Sequence, residues 1–322
     1  MPHTLTGRTR LNLCRDSLDG LSVGDALGAQ FFTVGPSHAA LVAGDAPAGP
    51  WPWTDDTQMA CSVVDEVLSG GVDQQRLAAN FAERCDPYRG YGVGAVVILH
   101  RIREGTPWRE AAGAVFNGAG SCGNGAAMRI APLGAYHAGD PGRAAAEARL
   151  SAEVTHAHPA GIRGAVLVAV AAANAAAARM AGARPKPGAF LDALDRFVVP
   201  GEIAVGIQRA RRMLGASVGE AAYTLGNGAQ VTAQDTVPFA LWVAARHLHD
   251  YPAAMAACVE AGGDIDTTCA IVGGIVAAYT GIGDRDGIGD NNGNGDRVAG
   301  VPRDWLDRRE PLPDWLADPT AA

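Results

Sequence analysis

Between Arg163 and Arg179 the chain reads GAVLVAVAAANAAAA, its longest uncharged apolar stretch. The stretch is shorter than the roughly 20 residues a bilayer span requires and it carries Asn174, so it is expected to be a helix buried inside a protein. A helix that is apolar on every side must be enclosed by other elements. The rest of the chain offers helices for this. Leu11, Cys14, Leu18 and Leu21 fall on one helical face, Met59, Val63, Val64 and Val67 on another, and Val93, Val96, Val97 and His100 open a third. Segments 161–181, 202–214, 236–248, 252–261 and 267–280 repeat the pattern. No two alternating runs are joined by an Asn-Gly or Asp-Gly turn of hairpin length. The expectation is an all-α fold: a single compact multi-helix domain over residues 8–315, with terminal tails at 1–7 and 316–322.

With 322 residues, 48% of them hydrophobic and 19% charged, the chain can bury a sizeable core, which excludes disorder as its dominant state. Its 42 glycines and 19 prolines follow no G-X-Y period and point to specialised loops, placed at 33–53, 117–125, 182–188 and 281–303. A formal charge of −8 without any run of Lys or Arg argues against a general nucleic-acid or anionic-membrane binder. Six scattered cysteines show no CxxC spacing, and the first residues show no apolar signal segment. These features lead us to expect a cytoplasmic chain with reduced thiols. Nothing resembles a coiled coil, so a monomer is the default.

Two segments concentrate acidic groups at helix starts. Trp53-Thr54-Asp55-Asp56-Thr57-Gln58 precedes an apolar helical pattern, where Thr54 or Asp55 could act as N-cap and Asp55 with Gln58 as a capping box. A cap needs one oxygen, yet this turn holds two carboxylates and two hydroxyls. More than 200 residues later Gly262-Gly263-Asp264-Ile265-Asp266-Thr267-Thr268 repeats the arrangement, with Asp264 and Asp266 facing one way if the turn is extended. If the segments meet, four carboxylates share one site. At an effective dielectric of about 20, two charges roughly 4 Å apart repel by about 4 kcal/mol, so a positive partner is needed. Two divalent ions would balance the charge, and an all-oxygen donor set selects Mg²⁺ or Mn²⁺. Protonation of some of the carboxylates is the competing answer.

Three other segments carry weaker signals. Asn117-Gly118-Ala119-Gly120-Ser121-Cys122-Gly123-Asn124-Gly125 could let backbone N–H groups approach an anion, although it lacks the lysine of a P-loop. Thr155-His156-Ala157-His158-Pro159 holds two histidines without a third zinc ligand, which suits capping or hydrogen bonding to a ligand. Asp290-Asn291-Asn292-Gly293-Asn294-Gly295 begins like a calcium loop but has Val301 at the twelfth position, where a bidentate Glu is required.

Taken together, Gly20-Leu21-Ser22-Val23-Gly24-Asp25-Ala26-Leu27-Gly28, Trp53-Thr54-Asp55-Asp56-Thr57, Gly123-Asn124-Gly125-Ala126-Ala127-Met128-Arg129, Thr155-His156 and Gly262-Gly263-Asp264-Ile265-Asp266-Thr267 resemble the ADP-ribosylglycohydrolase family. That family includes the dinitrogenase-reductase-activating glycohydrolases and the ADP-ribosylhydrolases. The pieces occur in family order and cover most of residues 12–282. The resemblance implies the family's all-α fold, with two Mg²⁺ or Mn²⁺ ions held by Thr54, Asp55, Asp56, Asp264, Asp266 and Thr267. It implies that Gly120, Ser121, Gly123 and Asn124 cradle the diphosphate and proximal ribose. His156 would hydrogen-bond the ligand and Phe116 would lie near the adenine. The implied reaction is hydrolysis of the C1″ glycosidic bond of an ADP-ribosylated side chain, arginine favoured, or of a small ADP-ribose conjugate. In it the metals orient a water, and Asp55 or Asp56 takes its proton.

The chain departs from the family pattern at Phe32, where many members carry a Glu near the scissile bond, and at Cys122, where some place an aromatic residue. Neither Phe32 nor Gln30 can transfer a proton. Two other readings follow: an ADP-ribose-binding module with reduced or no turnover, and a dimetal phosphohydrolase that cuts the diphosphate.

Overall fold

The computed structural model describes residues 5–33, 35–283 and 298–316. Among these residues it forms seventeen α-helices and two 3₁₀ turns without a sheet, and extended segments meet at isolated bridges such as Gly123 with Thr232. The uncharged stretch lies in the helix Pro159–Met180, which at 22 residues is longer than the stretch itself. Pro159 suits the first turn, where an N–H would have no helical partner, and His158 caps that turn by accepting from the Ala160 N–H. By length and composition this helix could cross a membrane, yet 78% of its apolar window is buried inside the protein. It packs against Ala131–Tyr136, Pro141–Glu153, Ala233–Arg246 and Ile265–Thr280.

The site is positioned by a second pairing, between Gly7–Gln30 and Ile265–Thr280 from opposite ends of the chain. Gly20, Gly24 and Gly28 recur every four residues and so form one stripe along the first helix. A Cβ on Gly20 would collide with Ala277, one on Gly24 with the Cys269 carbonyl, and one on Gly28 would lie 2.7 Å from Asp266 Cα. Gly273 faces the Gly20 carbonyl in return. Small residues on both helices therefore permit direct backbone contact. Gly24→Ala is expected to destabilise the protein by about 1–3 kcal/mol through overpacking, exceeding its gain of about 1 kcal/mol in helix propensity. A urea midpoint equal to or above that of the parent would refute this.

Two expectations are corrected. Val93, Val96, Val97 and His100 form an outward face of Val93–Arg103, with Val93 83% exposed; Ile98 and Leu99 are the buried residues. Periodicity marked a face but not which side the neighbours Gln74–Arg84 and Trp108–Ala114 would cover. The 33–53 connection also contains a short helix, His38–Val42. The Asp290–Gly295 segment lies outside the described residues.

Candidate active site

Thr54 is the N-cap of Asp55–Leu68, its hydroxyl accepting from the Asp56 N–H at 3.3 Å. The capping box anticipated between Asp55 and Gln58 does not form. Gln58 Oε1 instead accepts from the Tyr91 hydroxyl at 2.7 Å and the Asp86 N–H at 3.1 Å, holding the 86–91 turn beside the helix start. The free donors of this helix end are met by Asp25, a fully buried residue of Gly7–Gln30. Its carboxylate accepts from the N–H groups of Thr54 (2.9 Å) and Thr57 (3.1 Å) and from their hydroxyls (2.7 and 2.5 Å). A buried anion at a helix N-terminus is favoured by the helix dipole.

In the second segment Gly262 and Gly263 take φ of +64° and +75°, which turns the chain sharply into Ile265–Thr280. Asp264 is the N-cap. Asp266 sits within the first helical turn, not on an extended strand-like turn, and its Oδ1 accepts from the Thr267 N–H at 2.9 Å. The buried Thr267 follows it.

The two acidic segments do converge. Asp25, Asp56 and Asp266 each offer a carboxylate oxygen, and these atoms all lie within 4.8 Å of one another. Burial, then the neighbouring Asp25 and Asp264, pushes Asp55 up to about 7. Burial, then Asp264 and Asp25, pushes Asp266 up to about 8. Asp56 is raised well above the carboxylate range by burial and by Asp25, Asp266, Asp55 and Asp264, and Asp25 is raised by burial despite its hydrogen bonds. Among the described residues, no Arg, Lys or His forms an ion pair with any of these five carboxylates. Asp56 Oδ1 is buried with no hydrogen-bond partner. An orphaned carboxylate oxygen among mutually repelling acids fits a cation-binding site, because a bound ion would remove both costs at once.

The glycine loop reaches the same site. Asn124 is buried, and its Nδ2 donates to Asp264 Oδ2 at 2.7 Å and to Thr236 Oγ1 at 3.1 Å, so it ties the loop to the acidic cluster. Ser121 Oγ accepts from the Gly123 N–H at 3.1 Å. A Cβ on Gly123 would lie 3.1 Å from Ser121 Oγ and 3.4 Å from His156 Nε2. Gly120, at φ +73°, packs against Ala157 and His158. Ser121, Gly123 and His156 thus lie close together. Phe116 stands on the preceding turn, exposed, with a φ of +53°. His156 is pushed down to about 3 by burial and by Arg129, which keeps the ring neutral. His158 Nδ1 is occupied as a helix cap, and the candidate metal cluster among the described residues includes neither histidine.

Sequence reading assigned no role to Asp25, Arg129 or the 226–232 loop. Asp25 had a visible signal, a charge between two glycines of an otherwise buried helical stripe. The loop had less: its Asn227 carbonyl accepts from the Asp264 N–H at 3.1 Å, and Val231 takes an unfavourable φ of +54° beside Gly123. Phe32 lies 57% exposed just past the end of Gly7–Gln30.

Residues 6–321 match the family model described as ADP-ribosylglycohydrolase. The chain is 31% identical to ADP-ribosylhydrolase ARH3 of Homo sapiens over 71% of each chain. It is 29% identical to that of Gallus gallus over 83% of this chain and 85% of the relative. A solved structure described as an ADP-ribosylglycohydrolase-related protein complex superposes with a TM-score of 0.60 and 26% identity. It covers 94% of this chain and 93% of that one.

Proposed function

The chain belongs to the ADP-ribosylglycohydrolase family and is a glycohydrolase, and from that premise we propose that it hydrolyses the C1″ glycosidic bond of an ADP-ribosylated side chain or small ADP-ribose conjugate. The observation that carries the reading is the buried acidic cluster, with its unpartnered Asp56 Oδ1, joined through Asn124 to the glycine loop. In this proposal Asp56, Asp264 and Asp266 with Thr54, Asp55 and Thr267 would hold two Mg²⁺ or Mn²⁺ ions. Asp25 offers a further carboxylate oxygen beside Asp56 and Asp266. When bound, such ions supply Lewis acidity and lower the pKa of a coordinated water.

The protein's own groups do the rest. The glycine loop presents Ser121 and Gly123 to the diphosphate side of the ligand, and His156 offers a hydrogen bond from beneath. Asp55, less buried than Asp56, is the group placed to take a proton from water. Carboxylates beside the distal ribose stabilise positive charge developing on the ring as the bond breaks. Phe32 supplies no acid, so protonation of the leaving group falls to water or to a cluster carboxyl. Arginine is the favoured acceptor in this proposal. The proposed setting is the cytoplasm, with a monomeric chain whose six free cysteines stay reduced.

The test is product identity with defined substrates. With Mg²⁺ or Mn²⁺ present, release of free ADP-ribose from arginine-linked material, at a rate above that from serine-linked or small conjugates, is the expected result. AMP as product would favour diphosphate cleavage. Binding of ADP-ribose without release from any of these substrates would favour a binding module.

A further inference from the structure

Arg129 is a fully buried guanidinium held entirely by neutral groups. Its Nη2 donates to the Ser151 carbonyl at 2.9 Å and to Thr155 Oγ1 at 3.0 Å, its Nη1 reaches the Gly125 carbonyl at 3.4 Å, and its Cζ lies 4.5 Å from the Phe81 ring centroid. Thr155 Oγ1 has one other partner among the described residues, His156 Nδ1 at 2.8 Å. Thr155 itself is 1% exposed.

The proton positions follow from what each group is able to do. A guanidinium has donors and no acceptor, so Thr155 Oγ1 accepts from Arg129. The Thr155 hydroxyl hydrogen then has His156 Nδ1 as its acceptor, which requires Nδ1 to be unprotonated. The alternative, an Nδ1–H group, would aim two donors at one buried hydroxyl and leave the hydroxyl's own hydrogen without a partner. In the neutral ring the hydrogen must therefore sit on Nε2. That nitrogen lies beneath the glycine loop, 3.4 Å from where a Cβ on Gly123 or Gly125 would be. No acceptor reaches it among the described residues.

We propose that Arg129 and Thr155 are positioning residues that lock His156 in the Nε2–H tautomer, so that the ring acts as a fixed hydrogen-bond donor to the ADP-ribose moiety. This rests on the function proposed above for its ligand but not for its proton arrangement, which exists in the free protein. The low pKa of the ring, set by burial and Arg129, keeps it a neutral donor across the physiological range.

The experiment is two-bond ¹⁵N–¹H correlation of the full chain with ¹⁵N-labelled histidine at pH 7 and Mg²⁺, with His156 assigned by His156→Gln, paired with calorimetry using ADP-ribose. The expected spectrum has Nε2 protonated and Nδ1 unprotonated. Thr155→Val is expected to give mixed tautomers and a Kd raised about tenfold, equivalent to about 1.4 kcal/mol, and Thr155→Ser to restore both. Arg129→Met should shift the tautomer in the same way; if it fails to fold, the Thr155 pair still decides. A protonated Nδ1 in the parent protein, or an unchanged tautomer in Thr155→Val, overturns the proposal. The expected tautomer in a protein that does not bind ADP-ribose supports the proton arrangement and overturns the proposed function instead.

Discussion

Asp56→Asn is expected to lower metal-dependent ADP-ribose release by about 10²–10³-fold or more, and at the same time to make the chelated protein more stable. Both effects have one origin. In the free site Asp56 is buried beside Asp25 and Asp266, with one oxygen unpartnered, so its charge is opposed by desolvation and by like charges. At separations near 4.8 Å and an effective dielectric of about 20, each such pair contributes roughly 3–4 kcal/mol of repulsion when both members are ionised. Asn keeps the shape and removes the charge. Chelated Asp56→Asn should therefore unfold at higher urea than the chelated parent, whereas added Mn²⁺ should stabilise the parent and leave the variant nearly unchanged. Retained turnover, or equal stabilisation of both proteins by Mn²⁺, would remove Asp56 from the site. A variant that is merely misfolded would lose activity without gaining stability.

Much of this arrangement was legible in the sequence because it is local. The Thr54–Thr57 and Asp264–Thr268 clusters each sit at a helix start that periodicity and capping chemistry mark, and repulsion among their carboxylates already called for a cation. The buried helix could be read from an uncharged stretch too long to leave in water. Pairing was harder to read. Asp25 lies inside a helix, towards the C-terminal end of Gly7–Gln30, and its importance comes from Gly24 and Gly28 bringing the first helix onto the backbone of the helix that begins at Ile265. A stripe of small residues announces close packing without naming its partner. The same limit applies to Val93, Val96 and Val97, whose spacing is helical but whose neighbours leave them in solvent. Gln58 fits a capping box in sequence, yet Tyr91 and Asp86, about 30 residues away, take its oxygen.

Between about pH 6.5 and 8 the chelated protein is expected to lose stability as pH rises, and the metal-loaded protein to lose little. Asp55 titrates near 7 and Asp266 near 8 in the fold, against about 3.9 for a free Asp. In this window the unfolded chain has already released those protons while the folded chain still holds them. Stability therefore falls with pH by up to about 1.4 kcal/mol per unit for each proton retained, and levels off once the folded groups have ionised. His156 works in the opposite sense: its folded pKa of about 3 lies below the unfolded value, so its stabilising contribution is complete above about pH 6.5 and diminishes below it. The carboxylate effect is thus separated from the histidine effect on the alkaline side. Bound cations keep the carboxylates ionised in the fold, which abolishes the difference in proton uptake and with it the slope. Urea unfolding at pH 6.5, 7.25 and 8, in EDTA and in Mg²⁺, measures both lines. Parallel lines, or a chelated protein more stable at pH 8 than at 6.5, would mean that the acidic groups do not share one buried site.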